Sequence, residues 1–156
     1  MFSIIAAIGK NRELGQKGGL VFNIKEDMKY FRETTSGHKV VMGYRTWQSL
    51  PKKLPNRTNI VVSSDPVDGA DLTISDLPAF IKENENTDEE IFIIGGGMVY
   101  TQFLPHAKNL YLTEIDASAP ADVFFPQFNK SKYDKTIIKK GSQDDLVYTF
   151  AKYTKK

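Results

Sequence analysis

Residues 91–100, Ile-Phe-Ile-Ile-Gly-Gly-Gly-Met-Val-Tyr, decide the fold class of this 156-residue chain. Four apolar residues in a row predict a short strand that is buried on both faces. The triple glycine lets a ligand approach the backbone, and a helix that starts here would offer free N–H groups and partial positive charge. The motif is neither G-x-G-x-x-G nor a Walker loop. It indicates a phosphate or pyrophosphate site, with a tight packing turn as the alternative.

Two more apolar runs end in glycine, residues 2–8 and 40–42, and residues 59–64 and 109–115 also have strand character. Helical patterns separate these runs. We predict them at residues 24–35, 44–50, 76–83 and 98–104. This alternation predicts an α/β protein with a mostly parallel, twisted central sheet and helices on both faces. Residues 133–140 and 146–153 predict a carboxyl-terminal antiparallel hairpin on one edge.

Composition restricts the function. At roughly 150 residues per domain, the chain (1–156) is expected to form a single domain. Its net charge of +2 gives no argument for nucleic acid or a membrane surface. It has no cysteine and only two histidines, which argues against thiol chemistry and a metal site. The apolar amino terminus is too short for a targeting signal, so we expect a cytoplasmic protein. A domain of this size with no obvious apolar patch in its sequence is expected to be a monomer.

A second anion site is predicted beside the first. Gly43 ends a strand and is followed by Tyr44, Arg45 and Thr46, which offer a cation and a hydroxyl to phosphate oxygens. Ser63 and Ser64 end a further strand. Ligands of open α/β sheets bind at the carboxyl ends of the strands, and two anion sites on one edge suit a dinucleotide. The alternative for Arg45 is a solvated helix charge.

Asp27 is the most informative residue. In the predicted helix 24–35, Asn23 and Glu26 have the spacing of a capping box, which would explain Glu26 by structure alone. Asp27 instead lies on the apolar face with Ile24 and Phe31. A buried carboxylate should have a raised pKa or a hydrogen-bonding partner, and it is a functional candidate. The alternative is a partly exposed acid in the first turns of the helix, where the helix dipole favours it.

Other polar residues have simpler explanations. No serine has an evident histidine and acid partner, and His38 and His106 are expected at the surface. The acidic residues 83–90 are expected to form a solvated loop.

Together these motifs resemble the dihydrofolate reductase family over about residues 2–153. The motifs that carry the resemblance are Ile4-Ile-Ala6-Ala7, residues 15–22, Asn23 through Asp27 to Phe31, Val41-Met-Gly43 with Thr46-Trp47, Leu54-Pro55 with Arg57, Ser63-Ser64, Ile94-Gly95-Gly96-Gly97 with Tyr100, Tyr111-Leu-Thr113, and Asp122 with Phe125-Pro126.

The resemblance implies that NADPH gives a hydride to C6 of dihydrofolate while N5 takes a proton. The product, tetrahydrofolate, serves one-carbon and thymidylate metabolism. Asp27 would bind the pterin, Thr113 would support its carboxylate, and Tyr100 would lie near the nicotinamide. Leu20 and Phe22 would act from an active-site loop at residues 9–23. Gly15, Gly18 and Gly19 are expected to make that loop flexible.

The resemblance also implies two sets of binding residues. The substrate set is Ile5, Ala6, Ala7, Asp27, Met28, Phe31, Leu50, Leu54, Ile94 and Thr113, with Arg57 on the α-carboxylate of the glutamate tail. The cofactor set is Ala7, Gly43, Tyr44, Arg45, Thr46, Ser63, Ser64, Gly95, Gly96, Gly97, Met98 and Val99. The Gly95–Gly96 peptide is expected to be cis. Antifolate-like molecules would share the substrate site.

The chain departs from the family pattern at four positions. Val21-Phe22 stand where Pro-Trp is usual, and Tyr44 and Met98 stand where basic residues are common. Recognition of the cofactor 2′-phosphate would then depend on Arg45, Thr46, Ser63 and Ser64. We expect NADPH to be preferred, but by less than usual.

Two other functions stay open at this point. One is a reductase of the same fold that acts on another pterin-like or pyrimidine heterocycle. The other is a dinucleotide-binding module with little or no catalysis. Asp27 and Arg57 together argue against the first, because they suit a pterin that carries a glutamate tail. The intact acid argues against the second, whereas Phe22 in place of the usual Trp weakly favours it.

Overall fold

The computed structural model describes residues 1–156, which form eleven β-strands and four α-helices. The strands are β1 (Phe2–Ile8), β2 (Glu13–Gln16), β3 (Gly19–Leu20), β4 (Lys39–Gly43), β5 (Thr58–Val62), β6 (Leu72–Ile74), β7 (Ile91–Gly95), β8 (Ala107–Ile115), β9 (Val123–Phe124), β10 (Tyr133–Gln143) and β11 (Leu146–Lys155). The helices are α1 (Lys25–Thr35), α2 (Tyr44–Ser49), α3 (Leu77–Asn84) and α4 (Gly97–Phe103), with short 3₁₀ turns at Leu104–His106 and Lys130–Lys132.

Eight strands form one sheet in the order β10-β11-β8-β1-β7-β4-β5-β6. The pairs from β8 through β1, β7, β4 and β5 to β6 are parallel, whereas β11 pairs antiparallel with both β8 and β10. The predicted α/β class, parallel sheet and terminal hairpin are confirmed. None of the four helices has both the length and the apolar character needed to cross a bilayer.

The sequence patterns missed the second sheet, in which β2 pairs with β3 and β9. Its strands are only two to four residues long, and β2 and β3 contain glycine. Such short segments carry neither the continuous nor the alternating apolar signal that predicts a strand. Residues 9–23 are therefore more ordered than a plain loop.

The main sheet separates two apolar layers, and β1 contributes to both by alternation. Ile4 and Ala6 face the larger core, which contains residues of α3 and α4. Ile5 faces a smaller core, against which residues of α1 and α2 pack. Helices therefore cover both faces, as the sequence predicts.

Parallel pairing brings the carboxyl ends of β1, β7, β4 and β5 to one edge of the sheet. Ala7, Gly95, Gly43 and Ser63 are at or next to these ends and therefore lie along that edge in this order. The three glycine-ended runs of the sequence do converge on the edge where α/β proteins bind ligands.

The capping box predicted for α1 is wrong. The N-cap residue is Ile24, and no side chain of the local sequence caps the helix. Gln143 from the distant hairpin does so, because its Oε1 accepts the Lys25 N–H at 2.9 Å and its amide donates to the Asn23 carbonyl at 3.1 Å. One of the unpaired amide groups of the first helical turn, that of Lys25, is thus satisfied by a tertiary contact.

Glu26 belongs to the same connection between α1 and the hairpin. Its carboxylate accepts the Tyr148 hydroxyl at 2.6 Å and pairs with Lys139 at 2.5 Å. The contact with Lys139 lowers the pKa of Glu26 most, and the hydrogen bond from Tyr148 lowers this pKa further. Glu26 therefore fastens the helix to the hairpin instead of closing a capping box.

The acidic residues 83–90 are not simply a solvated loop. Glu90 accepts the Ser3 hydroxyl at 2.5 Å, and the amino-terminal ammonium of Met1 donates to carbonyl groups of this segment. Glu85 contacts His106, which is half-buried and not at the open surface as predicted. His38 is also half-buried, with its ring edge-on to Phe92.

Candidate active site

Asp27 lies on the sheet-facing side of α1 and is partly buried. Its Oδ1 accepts a hydrogen bond from the Thr113 hydroxyl of β8 at 2.6 Å, and no cation lies within 4.0 Å. Burial raises the pKa of Asp27 above its ordinary value of 3.8, and the hydrogen bond from Thr113 opposes this effect only in part. Asp27 is therefore desolvated and hydrogen-bonded as the functional reading predicts, although it lies in the first turn of α1 and is only partly buried.

The smaller core presents an apolar surface on the face of the sheet that α1 covers, and this surface beside Asp27 is here called the slot. Ile5 is 5% exposed, and it belongs to the cluster against which several half-buried side chains of the predicted substrate set pack. These side chains are Phe31, Leu50, Leu54 and Ile94. Met28 is 51% exposed at the mouth, while Ala7 and Phe22 pack against a third cluster that contains Ile24. The structure thus brings most of the predicted substrate residues to one face of the sheet.

Two members of the predicted sets point elsewhere. Ala6 lies on the opposite face of β1 from Ile5, and both Ala6 and Val99 are buried in the larger core. Their side chains therefore belong to the core, although Val99 Cγ2 would lie 3.1 Å from a Cβ at Gly43. Leu20 and Met98 are 66% and 79% exposed, so neither lies within a formed pocket.

Arg57 is a half-buried cation next to Phe31, the aromatic side chain of the slot. Its Nε donates to the Pro55 carbonyl and its Nη1 to the Thr35 hydroxyl, each at 3.0 Å. The guanidinium is 5.8 Å from the centre of the Phe31 ring. Loss of hydration lowers the pKa of Arg57 from its ordinary value, and the nearby Arg32 adds to this effect. No protein carboxylate lies within 4.0 Å, so an anionic ligand would not have to displace one.

Tyr100 joins α4 to the end of β1. Its hydroxyl is buried and donates to the Ile5 carbonyl at 2.8 Å. Burial raises the pKa of Tyr100, and the negative charge of Asp27 raises it further, so the phenol stays neutral. A Cβ at Gly95 would lie 3.3 Å from this hydroxyl, and Gly95 has a φ of +124°. Glycine is therefore required there by both space and backbone conformation.

The glycine run continues toward α2. The Gly95–Gly96 peptide is cis, as the resemblance implies. A Cβ at Gly96 would lie 3.6 Å from Thr46 Oγ1, so the threonine hydroxyl faces the glycine backbone across the edge. Gly43 is also close, because its Cβ position is 3.9 Å from the Gly96 nitrogen. Gly43, Thr46 and the glycine run thus form one surface of backbone and hydroxyl groups.

An open cleft of about 430 Å³ lies beyond this surface, at the end of β5. Its lining contains three predicted cofactor residues, Tyr44, Ser63 and Ser64. Arg45 is exposed in α2 and does not line the cleft. The other lining residues are Trp47, Asp65, Pro66, Val67 and Asp68. The two aspartates were missed by sequence reasoning, although their position directly after a strand-ending Ser-Ser could have indicated them.

The glycines at residues 9–23 have different structural roles. A Cβ at Gly15 would come within 2.8 Å of the Gly19 carbonyl oxygen, so Gly15 permits the close approach of β2 and β3. Gly18 has open space around it but a φ of +82°, which the turn between these strands requires. At Gly15 the requirement is space, not flexibility.

A dinucleotide-sized, glycine-rich edge next to an apolar slot with one buried acid defines a class of protein, the α/β reductases that work with a pyridine dinucleotide. The donor groups of the edge (backbone amides, Thr46, Ser63 and Ser64) fit a pyrophosphate and ribose hydroxyls. Comparison with known proteins specifies the class further.

The family model described as dihydrofolate reductase matches residues 1–155. The dihydrofolate reductase of Bacillus subtilis (strain 168) is 35% identical over 160 residues, which cover 100% of this chain and 95% of that protein. Dihydrofolate reductase type 3 of Salmonella typhimurium is 38% identical over 131 residues, 82% of this chain and 80% of that protein. A solved structure, dihydrofolate reductase from Enterococcus faecalis complexed with NADP(H) and RAB-propyl, superimposes with a TM-score of 0.88 at 26% identity, covering 99% and 96% of the two chains. The chain belongs to the dihydrofolate reductase family.

Proposed function

We propose that Asp27, Thr113, Phe31 and Arg57 form the substrate site at which this chain reduces dihydrofolate to tetrahydrofolate with NADPH, the reaction of its family. The observation that carries the proposal is the partly buried Asp27 carboxylate, whose only hydrogen bond within the protein comes from Thr113. One oxygen is thereby fixed, and the carboxylate keeps acceptor capacity for N–H groups of a ligand.

The order of groups along the slot matches the substrate. Asp27 supplies a hydrogen-bond acceptor for the amino group and ring nitrogen of a pterin. Phe31 lies one helical turn further along α1 and provides an apolar wall for the aminobenzoyl part. Arg57 stands over the Phe31 ring and can bind the glutamate α-carboxylate through two N–H groups. An acid, an apolar wall and a cation thus follow one another as the three parts of dihydrofolate require.

Proton supply is the second task that we assign to Asp27. Because burial raises its pKa, its carboxyl group holds a proton at a higher pH than an exposed aspartate does. Such a group can hold or relay a proton toward N5 near neutral pH. Thr113 acts as a positioning residue, since its hydroxyl orients the carboxylate.

The dinucleotide is assigned to the neighbouring edge. NADPH, when bound, supplies the hydride that C6 of the substrate receives. Gly95, Gly96 and Gly97 would admit the pyrophosphate to the backbone, with Thr46 as a hydroxyl donor. Tyr100 would border the nicotinamide while it fixes the end of β1 through the Ile5 carbonyl. Leu20 and Phe22 would exclude water when the β2–β3 segment closes over the ligands.

Dihydrofolate-dependent oxidation of NADPH by the purified full chain tests the function, with Asp27→Asn as the active-site variant. Asp145→Asn, in the exposed turn between β10 and β11, is the matched control. We expect an active wild type and control and a strongly impaired Asp27→Asn. A wild type that binds NADPH but reduces another heterocycle faster would support the alternative reductase, and binding without any reduction would support a module without catalysis. The family assignment does not favour either.

The proposal includes a monomeric state and a cytoplasmic location. All residues assigned to the site come from one chain, so no second subunit is needed to complete it. Size-exclusion chromatography with light scattering and fractionation of the native cells test these two statements. A dimer at micromolar concentration would contradict the first.

A further inference from the structure

The cleft at the end of β5 contains negative charge and no positive charge. Its eight lining residues include Asp65 and Asp68 but no lysine, arginine or histidine. Neither carboxylate has a cation within 4.0 Å. The nearest cation in sequence, Arg45, is exposed outside the lining.

The position of the cleft makes it the end of the dinucleotide site, an assignment that rests on the proposed function. In the sheet order, β5 is three strands from β1, or about 14 Å at the usual strand spacing. A cofactor with its nicotinamide at β1 and its pyrophosphate at the glycine run of β7 therefore extends its adenosine half over β4 toward this cleft. Trp47 and Tyr44 offer aromatic surface there, and Ser63 and Ser64 offer hydroxyl groups.

The two common pyridine dinucleotides differ at this end only. NADPH carries a phosphate on the 2′-oxygen of the adenosine ribose, and NADH carries a hydroxyl group. Serine and tyrosine hydroxyls can donate to either. A carboxylate accepts a hydrogen bond from a ribose hydroxyl, as in dinucleotide-binding folds that use an acid for this purpose, but it repels a phosphate.

We propose that Asp65 and Asp68 are specificity-determining residues, whose charges weaken the selection of NADPH so that this chain also uses NADH. Asp65 is held in the turn after β5, where its N–H donates to Ser63 Oγ at 3.3 Å. Asp68 lines the same cleft three residues later. The hydroxyl donors of the cleft stay available to either cofactor. Because the cleft contains two aspartates and no cation, the 2′-phosphate of NADPH gains no ionic contact there.

Binding can be measured directly, because Trp47 is the single tryptophan and lies in the cleft wall. Titration of the full chain with NADP⁺ and NAD⁺, followed by tryptophan fluorescence, gives the ratio of the two dissociation constants. We expect each of Asp65→Asn and Asp68→Asn to shift this ratio toward NADP⁺ by roughly three- to tenfold, since a carboxylate a few ångströms from a phosphate dianion is partly screened by salt. The double variant should shift it by about tenfold or more. Asp145→Asn should not shift it.

Ionic strength gives a second test that needs no variant. In the wild type, added salt should shift the ratio toward NADP⁺, because it screens repulsion between the carboxylates and the 2′-phosphate. A basic pocket would give the opposite sign. The kcat/KM values of the wild type for NADPH and NADH should follow the binding ratio.

Two results would overturn the inference while the proposed function stands. They are an unchanged ratio in a folded, active double variant, and a wild-type ratio that moves toward NAD⁺ as salt is added. If neither dinucleotide changes the Trp47 fluorescence and the enzyme is inactive, the proposed site and this inference are both wrong.

Discussion

The slot around Asp27 and the cleft around Asp65 and Asp68 lie on the same edge of the sheet, yet their aspartates have different properties. Asp27 is partly buried and accepts a hydrogen bond from Thr113, and burial raises its pKa. Asp65 and Asp68 are exposed and unpaired in an open cleft. The comparison shows that the local surroundings of an aspartate decide its chemical role. A buried carboxyl group binds and holds a proton, whereas an exposed one acts on its ligand through charge.

The kinetic effect of Asp27→Asn is the largest that we expect. At neutral pH the rate of dihydrofolate reduction should fall by about 10²- to 10⁴-fold, because the amide cannot hold the proton that Asp27 holds. The rate should recover as pH falls, since solvent acid replaces the missing group. Wild-type activity should itself decline as pH rises through the raised pKa of Asp27. Stopped-flow or steady-state rates across pH measure both effects, and a flat profile for the variant would refute proton delivery by Asp27.

Arg57→Gln sharpens the contrast at the other end of the slot. The KM for dihydrofolate should rise by about 10- to 100-fold, because a charge-assisted contact contributes roughly 1.5–3 kcal/mol. The kcat at saturating substrate should stay near the wild-type value. A dihydropterin without the glutamate tail is the control substrate, for which the variant and the wild type should be equal. A larger loss with this control substrate would place Arg57 elsewhere.

The substitution Gly141→Ala tests whether the hairpin of β10 and β11 supports the slot around Asp27 without affecting the cleft at the end of β5. An added Cβ would lie 2.5 Å from Glu26 Oε1 and 2.6 Å from the ring of the buried Tyr148. One of these side chains must move, which disturbs the connection between α1 and the hairpin and should cost about 1–3 kcal/mol in urea unfolding. The kcat/KM for dihydrofolate should fall, whereas the NADP⁺ to NAD⁺ binding ratio should not change.

Gly19→Ala is the matched control for this stability measurement, because its nearest neighbour would be 3.9 Å from the added Cβ. Equal destabilisation by both substitutions would show that the effect at Gly141 does not come from crowding against Glu26 and Tyr148.

The smallest effect is a gain in stability. Because the folded-state pKa of Asp27 is raised above its ordinary value of 3.8, the protonated form favours the fold, and the penalty develops as pH rises through that folded pKa. Asp27→Asn removes this ionisable group and its penalty, so its Tm at neutral pH should exceed the wild-type Tm by a few degrees, or about 1 kcal/mol. The gain should disappear toward pH 3.8. Asp65→Asn should leave the Tm unchanged, and an equal gain from that exposed site would contradict the comparison.

Regular patterns in the sequence predicted the fold well where one element follows one periodicity. The largely apolar run of β1 and the unbroken apolar run of β7 predicted the bounds of these strands to within a residue. The i, i+4, i+7 spacing placed Asp27 on the buried face of α1. The same reasoning failed at β2 and β3, because strands of four and two residues are too short to show a periodic pattern. It also failed at Asn23, because a capping box is a local motif and the actual partner of the helix start is Gln143.

The site was predicted in part. The glycine run, Asp27 and the serines at the end of β5 follow from local chemistry and the resemblance, and the structure brings them to one edge. Arg45 was expected in the phosphate site, but the cleft is lined by Tyr44 and two acids instead. Two features decide which residues line the cleft. They are the direction of the side chains in the short helix α2 and the course of the turn after β5, and the spacing of residues in the sequence sets neither.

By itself, the sequence determined the order of the longer strands and the helices, the glycines that end three strands, and an acid on an apolar helix face, because each follows from neighbours a few residues away. No local pattern contained the contact of Thr113, 86 residues away, with the Asp27 carboxylate, which the family resemblance implied and the structure confirms. Only the tertiary structure decided that Gln143, 118 residues from Lys25, caps the start of α1. Such contacts depend on which strands lie side by side in the sheet. Strand order is set by the packing of the whole core, which no short stretch of sequence contains.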